Sequence, residues 1–269
     1  MSAEAEGTSV SRRIIAMLRL FAEGGETLSI NEISQRLELA PSSVHRLLTG
    51  LVAENIVERT AKRRYCVGRE FGRIGALVAR KIDVRRLARP MLQQIIAETG
   101  ETSLLGMMLP QSNELMIVDK IDSIHALRIR VNLNARRSLM WGAQGRVVLA
   151  WLESDEAAKV IASAARAPAT SDMPPSPRAL GGILSGIREA GYAITRGQVV
   201  TGAVAIAAPV FDADGRIVGE LSLNLPELRF RRRDEQRLAN LVVREAKKLS
   251  FAFGAPAALP QTKTRSYFE

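Results

Sequence analysis

The sequence predicts an α+β protein in which an N-terminal winged helix-turn-helix precedes a domain built on an antiparallel sheet. Three observations support this fold class. The chain has 269 residues, more than one small domain needs. Short amphipathic segments near the N-terminus are separated by a connection of a few residues, as in a helix-turn-helix. The second half contains apolar strands with helices grouped at their ends, an order typical of α+β domains.

The composition is that of a globular protein. It is 46% hydrophobic and 25% charged, which is enough apolar material for packed cores. No apolar run approaches the roughly 18 residues of a membrane-spanning helix, and residues 1–8 contain no apolar signal segment, so we expect a cytoplasmic protein. One cysteine, Cys66, and two histidines, His45 and His125, cannot form an internal disulfide or a Cys/His zinc cluster. We therefore predict no metal and no cofactor.

Three helices are predicted at the N-terminus. The first covers residues 11–21, where apolar side chains recur at helical spacing. The second begins after Ser29, which with Glu32 forms a capping-box pattern. The third begins at Pro41, and its apolar stripe continues to about residue 54. The second and third helices with their short connection have the layout of a helix-turn-helix.

The start of the third helix is the first candidate binding surface. Ser42, Ser43, His45 and Arg46 lie there on the polar face. Short polar donors and one arginine suit base edges and phosphates at the entry to a major groove. A solvated helix start, or one that binds a protein, is the alternative.

A basic wing is predicted next. Residues 56–59 and 65–67 form two short strands. Four cations without an intervening acid lie around their connection: Arg59, Lys62, Arg63 and Arg64. Such a tip can contact a phosphate backbone, and the net charge of +10 raises the expectation of a polyanionic partner. An ordinary exposed basic turn is the alternative.

The predicted domains are a winged helix-turn-helix over residues 9–68, a linker helix over 69–86, a second domain over 87–253 and a flexible tail over 254–269. The second domain should contain strands over residues 102–109, 115–121, 127–131, 203–211 and 217–225. Helices are predicted around residues 144–151, 155–164, 179–190 and 234–253.

A ligand pocket is predicted in the second domain. Alternation places Ala205 among small alanines, while Ser222 and Asn224 share the polar side of the next strand. If Ala205 lies on the same face of the sheet as Ser222 and Asn224, that face has both space and polar groups, as a binding pocket does. The nearby helix start, Ala143, Gln144 and Gly145, could offer backbone N–H groups to a carboxylate. Helix packing on the alanines, with solvated polar residues, is the alternative.

Catalytic motifs are not found. The sequence contains no G-x-S-x-G, P-loop, strand-linked G-x-G-x-x-G or H-E-x-x-H pattern. We predict no catalytic residues and no enzyme. A small-molecule enzyme and a winged-helix module that binds proteins remain the competing classes.

Three stretches resemble the IclR family of bacterial transcription factors: residues 28–51 with the wing end at 64–68, residues 142–152, and a third made of residues 191–193, 202–211 and 219–224. The resemblance covers nearly the whole chain. It implies a winged helix-turn-helix, a linker helix and a GAF-like effector domain, in homodimers or tetramers on palindromic double-stranded DNA. It also implies a small organic ligand that changes operator affinity, and we expect this effector to be an organic or aromatic acid.

Two positions depart from the family pattern. Ala205 stands where members commonly have a cysteine, and Arg146 where they commonly have a lysine after the glycine. Any ligand contact made by that cysteine is therefore not carried over to this chain. The sequence leaves the effector, the operator and the sign of regulation open.

Overall fold

The computed structural model describes residues 2–23, 27–79, 81, 83–109, 112 and 114–256. The chain divides into two compact units, Met1–Ile82 and Asp83–Glu269. The first unit has one hydrophobic core and the second has two. Among the described residues, none of the helices combines the length and apolar character needed to cross a membrane.

The first unit is a winged helix-turn-helix. Its elements are α1 (Ser2–Glu23), α2 (Ile30–Leu37), α3 (Pro41–Ala53), β1 (Val57–Arg59), β2 (Tyr65–Val67) and α4 (Arg69–Ala79). The two strands pair antiparallel, with Val57 opposite Val67. Met17, Ile33, Val44 and Leu48 are buried in the core that joins the three helices. The apolar stripes of the sequence therefore predicted the packed faces correctly.

Local hydrogen bonds explain where α2 and α3 begin. The Ser29 hydroxyl accepts a hydrogen bond from the Glu32 backbone N–H, and the Ser29 backbone N–H donates to the Glu32 carboxylate. This is the predicted capping box. Helix α3 begins with Pro41 at its first position, where the missing N–H costs no hydrogen bond.

The predicted helix over residues 69–86 is interrupted in the structure. Helix α4 ends at Ala79, and a separate helix, α5 (Val84–Thr99), begins after Asp83. The Asp83 carboxylate accepts a hydrogen bond from the Arg85 backbone N–H at 3.0 Å and caps the new helix. Because the surrounding segment is basic and favours helix, the sequence analysis missed this N-cap.

The second unit contains a six-stranded antiparallel sheet in the order β5-β4-β3-β8-β7-β6. Its strands are β3 (Thr102–Leu109), β4 (Glu114–Ile121), β5 (Arg136–Ser138), β6 (Ala193–Arg196), β7 (Ala203–Phe211) and β8 (Ile217–Pro226). Its helices are α5, α6 (Gly142–Leu149), α7 (Ser154–Ala162), α8 (Pro177–Ala190) and α9 (Glu235–Ala252). The predicted α+β class is confirmed.

The predicted strand over residues 127–131 is wrong. This segment is irregular, and Arg128 and Arg130 are exposed. Strand β4 pairs instead with β5 and with the residues that precede β5. For example, the Ile117 N–H donates to the Ala135 carbonyl at 3.0 Å. Apolar and basic residues alternate over residues 127–131, and this pattern is typical of a strand. Strand β5 has only three residues, too few to show the two-residue period of a strand. Strand β6 was also not predicted.

Side chains on the two faces of the sheet lie in different cores. Leu105, Val204 and Leu223 pack with α5 and α9 on one face. Leu104, Leu115 and Ala207 pack on the other face with α6, all eight residues of which are buried.

The predicted flexible tail begins after α9, but its residue Ala255 is buried. Of the predicted tail, residues 257–269 lie outside the described part of the chain.

Candidate DNA-binding surface and ligand cavity

The start of α3 presents the predicted polar residues outward. Ser42, His45 and Arg46 are exposed and Ser43 is half-buried, while Val44 of the same turn is fully buried. No side chain of the described residues caps the backbone N–H groups of this helix start. Free N–H groups and a cation at a helix N-terminus favour a phosphate.

A shallow depression of about 270 Å³ lies beside the start of α3. It is lined by Val10, Arg13, Ser42, Ser43, Arg46 and Leu47. Arg13 was not among the predicted site residues, but the packing of α1 brings it into the same depression as Arg46. Two guanidinium groups in one depression raise the positive potential where α3 would meet an anion.

The wing tip is a tight turn, and three exposed cations lie in it or next to it. The Thr60 N–H donates to the Arg64 carbonyl at 2.8 Å, and Arg63 adopts a left-handed backbone with φ 56°. Arg59, Lys62 and Arg63 are exposed, and none of them forms an ion pair with another described residue. These three side chains are free to meet phosphates.

Arg64 differs from the other wing cations. Its Nη2 lies 2.8 Å from the Glu32 carboxylate, and its Nε donates to the Thr27 hydroxyl at 2.8 Å. Hydrogen bonds from the Ser29 backbone, the Ser29 side chain and Arg64 hold the pKa of Glu32 at about 2, below the usual 4.5. We predicted a phosphate contact, but in the structure this guanidinium joins the wing to the start of α2.

Replacing Arg64 by alanine is expected to destabilise the first unit, because Glu32 and Thr27 lose their hydrogen-bond partner. The thermal midpoint of that unit should fall by several degrees, as followed by circular dichroism. Arg63→Ala is the matched control, since it removes a neighbouring exposed cation and should leave the midpoint unchanged. Equal midpoints for the two variants would contradict the assigned role of Arg64.

A small cavity in the second unit gathers half of the predicted effector residues. Gln144, Ala205 and Asn224 line it, together with Arg137 and Thr195. Its volume is about 30 Å³, room for about one water molecule. A larger ligand must therefore push the lining side chains apart.

Unpaired donors surround this cavity. Within the described chain, the half-buried Arg137 forms no ion pair and the buried Nδ2 of Asn224 has no hydrogen-bond partner. Burial lowers the pKa of Arg137 from its usual value, yet leaves the guanidinium charged at any physiological pH. The first N–H of α6, at Gly142, donates to the Gln198 side-chain carbonyl at 3.3 Å. Such a set of donors suits an anionic oxygen.

The other three predicted effector residues have packing roles. Ala143 is fully buried in the core. A Cβ on Gly145 would lie 2.2 Å from the Ser138 carbonyl oxygen, so only glycine permits this approach of α6 to β5. The Ser222 hydroxyl receives a hydrogen bond from Gln144 Nε2 at 3.4 Å and is buried beneath it.

Glu220 is a buried acid on the same face of β8 as Ser222 and Asn224. It is 0% exposed, and neither carboxylate oxygen has a hydrogen-bond partner of good geometry among the described residues. Burial raises its pKa to about 8, although nearby Ser222 and the Gly106 backbone lower it in part. A Cβ at Gly106 would lie 2.5 Å from Glu220 Oε1, so the glycine provides the space for the carboxyl group.

Sequence reasoning missed Arg13, Arg137 and Glu220. Arg137 was not predicted because the strand was placed at residues 127–131, whereas the structure forms β5 at Arg136–Ser138. Glu220 was not among the predicted site residues. The described residues contain no group of three His, Cys, Asp or Glu side chains placed to hold a metal ion.

Together, the exposed α3 and wing of one unit and the donor-lined cavity of the other define a class of protein: a DNA-binding regulator with a separate ligand-binding domain. Family comparisons specify the class. The IclR helix-turn-helix domain matches residues 12–61, and the bacterial transcriptional regulator IclR C-terminal domain matches residues 76–251. The chain belongs to the IclR family of transcriptional regulators.

Individual relatives agree with this assignment. The HTH-type transcriptional regulator KdgR of Escherichia coli is 28% identical over 243 residues, 90% of this chain and 91% of KdgR. The crystal structure of Pseudomonas aeruginosa HmgR has a TM-score of 0.78 at 24% identity and covers 94% of this chain and 99% of its own. An IclR homolog from Microbacterium hydrocarbonoxydans, complexed with 4-hydroxybenzoate, has a TM-score of 0.56 at 19% identity, with 91% and 98% covered.

Proposed function

We propose that this regulator binds double-stranded DNA through α3 and the wing, and that a small carboxylate in the second unit changes its operator affinity. Residues 9–68 form the DNA-binding domain and residues 87–253 the effector domain in this proposal, which places the protein in the cytoplasm. The observation that carries the ligand half of the proposal is a pair of donors, Arg137 and Asn224, which lie beside a cavity at the start of α6 and lack side-chain partners among the described residues.

On the DNA side, each candidate residue has a distinct role. Ser42, Ser43, His45 and Arg46 contact base edges and phosphates from the start of α3. Arg59, Lys62 and Arg63 contact phosphates from the wing, and Arg13 adds a phosphate contact beside α3. Arg64 positions the wing. Phosphate contacts fix the register on the duplex, and the base-edge contacts supply the sequence preference.

On the ligand side, the chemistry favours an organic acid. Arg137 and the Asn224 amide would bind the carboxylate, and the helix start would contribute once the Gln198 carbonyl moves away from Gly142. Gln144 and Ala205 would contact the remainder of the ligand. The 4-hydroxybenzoate bound to the Microbacterium homolog is an aromatic acid and supports this class.

A test of the proposed function combines a ligand screen with one substitution. Small carboxylic acids and phenols are screened for a rise in melting temperature, because a ligand that binds only the folded state must stabilise it. With the best acid, Arg137→Met should weaken binding by about 10- to 100-fold, as expected for a lost charge-assisted hydrogen bond. DNA affinity without ligand should stay unchanged.

Arg128→Met is the matched control for Arg137→Met. Arg128 is an exposed arginine of the same unit that does not line the cavity. Its loss should leave the binding of the acid unaltered. If the two variants bind the acid equally well, Arg137 is not its partner; if no acid binds at all, the carboxylate class is wrong.

We also propose a homodimer or tetramer that uses α4. Ile74, Leu77 and Val78 recur at helical spacing and are 40%, 46% and 54% exposed in the single chain. Leu77→Glu should raise the dissociation constant of the assembly by about tenfold or more, because burial of one leucine is lost. Sedimentation velocity measures this, with Ala76→Glu on the opposite side of α4 as control. Unchanged assembly of the Leu77 variant would remove α4 from the interface.

A further inference from the structure

A second cavity in the sheet unit is far larger than the one beside Arg137. Its volume is about 490 Å³, within the range of small-molecule sites. It lies between the end of α8, the last turns of α9 and the end of β7. Its apolar lining includes Trp151, Phe211, Phe251 and Val243. None of its lining residues belongs to the Arg137 cavity.

The cavity lies at an uncovered edge of the sheet. Strand β6 covers β7 only as far as Ala207, which pairs with Ala193. Beyond that point, Pro209 has no N–H, and the Phe211 N–H donates to the Ser250 hydroxyl at 3.1 Å. The edge therefore lacks the free donors that an added peptide strand requires. This favours a small molecule over a peptide as the occupant.

An aromatic wall and a lysine determine the ligand chemistry. Trp151 and Phe211 pack edge to face with ring centroids 5.1 Å apart, and Phe251 is 68% exposed. Lys247 is exposed and forms no ion pair with another described residue, whereas Glu189 brings the opposite charge on the α8 side. An anionic group is thus favoured beside α9, and an apolar ring against the aromatic wall.

We propose that this cavity is a second small-molecule site, which binds a carboxylate attached to an aromatic ring. The carboxylate lies beside the Lys247 ammonium and the ring packs against Trp151 and Phe211. The site is separate from the proposed carboxylate site at Arg137, because the two cavities share no lining residue.

Trp151 offers a direct readout, since the chain has only two tryptophans. In a Trp141→Phe background, titration with 3-phenylpropanoate should change Trp151 fluorescence saturably, with one molecule per chain. Calorimetry on the unmodified chain gives a second measurement if that background folds poorly. Lys247→Met should weaken binding about threefold to fivefold, as for an exposed ion pair. Ala190→Phe, which fills the cavity from an exposed position, should abolish the fluorescence change.

Arg137→Met separates this proposal from the proposed function. It should leave the Trp151 signal intact, so that either site can fail while the other stands. A signal that does not saturate, that keeps the parent's affinity in Lys247→Met, or that persists in Ala190→Phe would overturn the second site. A signal abolished by Arg137→Met would do the same. Binding that emerges only after deletion of residues 257–269 would also overturn it, because the cavity would then accommodate that segment.

Discussion

Simultaneous replacement of Arg59, Lys62 and Arg63 by alanine should weaken DNA binding at physiological salt. We expect the affinity to fall about a hundredfold for each winged domain that contacts the duplex. Each lost phosphate contact removes about 0.9 from the slope of log affinity against log salt, so three contacts remove about 2.7. The loss should be similar on specific and unrelated duplexes, because phosphates carry no sequence information. Fluorescence anisotropy over a salt series, on a duplex from the gene's own upstream region, measures both quantities.

The matched control removes the same charge from the other unit. Lys159, Arg178 and Arg216 are exposed cations outside the winged unit. Their replacement by alanine lowers the net charge by three, as the wing variant does, and should leave the salt slope nearly unchanged. If both variants lose affinity equally, the wing has no specific role and net charge alone attracts DNA.

Glu220→Gln should abolish a loss of stability that the parent protein shows with rising pH. The folded-state pKa of Glu220 is raised from 4.5 to about 8, so between these values the folded chain binds a proton that the unfolded chain has released. The stabilising contribution is complete below about pH 4.5 and is lost as pH rises through about 8. The upper limit is about 5 kcal/mol, from about 1.4 kcal/mol for each unit of pKa shift.

Urea denaturation between pH 4 and pH 9 measures this effect. Glu101→Gln is the control, because Glu101 is also buried but lies 2.5 Å from Arg229 in a bidentate ion pair. Breaking that pair should lower stability and retain the pH-dependent loss of the parent. A Glu220→Gln variant with the parent's pH profile would show that Glu220 is not the buried proton carrier.

The sequence predicted those helices and strands whose apolar residues recur at regular spacing or whose first turn carries a capping motif. The stripe through Val44 and Leu48, the Ser29 and Glu32 capping box and the long strands β7 and β8 are all found in the structure. Strands β5 and β6 have three and four residues, too few for alternation to be recognised. Asp83 was missed because one capping residue in a basic segment gives little signal.

The candidate site residues were likewise predicted correctly only where a local sequence pattern places them. Helix periodicity placed Ser42, His45 and Arg46 on an exposed face because Val44 must be buried. The ion pair of Arg64 was not predicted because its partners, Thr27 and Glu32, are more than thirty residues away and meet it only in the folded wing. The cavity residue Arg137 depended on a strand that the alternating pattern of residues 127–131 obscured. Long-range contacts, which local patterns do not encode, account for both differences.

The most direct test of the account measures the coupling between the two units. Operator affinity is determined with and without a saturating concentration of the best acid from the melting screen, and acid affinity with and without operator DNA. We predict that both affinities change by the same factor, about fivefold or more, because coupling between two binding equilibria is reciprocal. An acid that binds the second unit and leaves operator affinity unchanged would contradict the account.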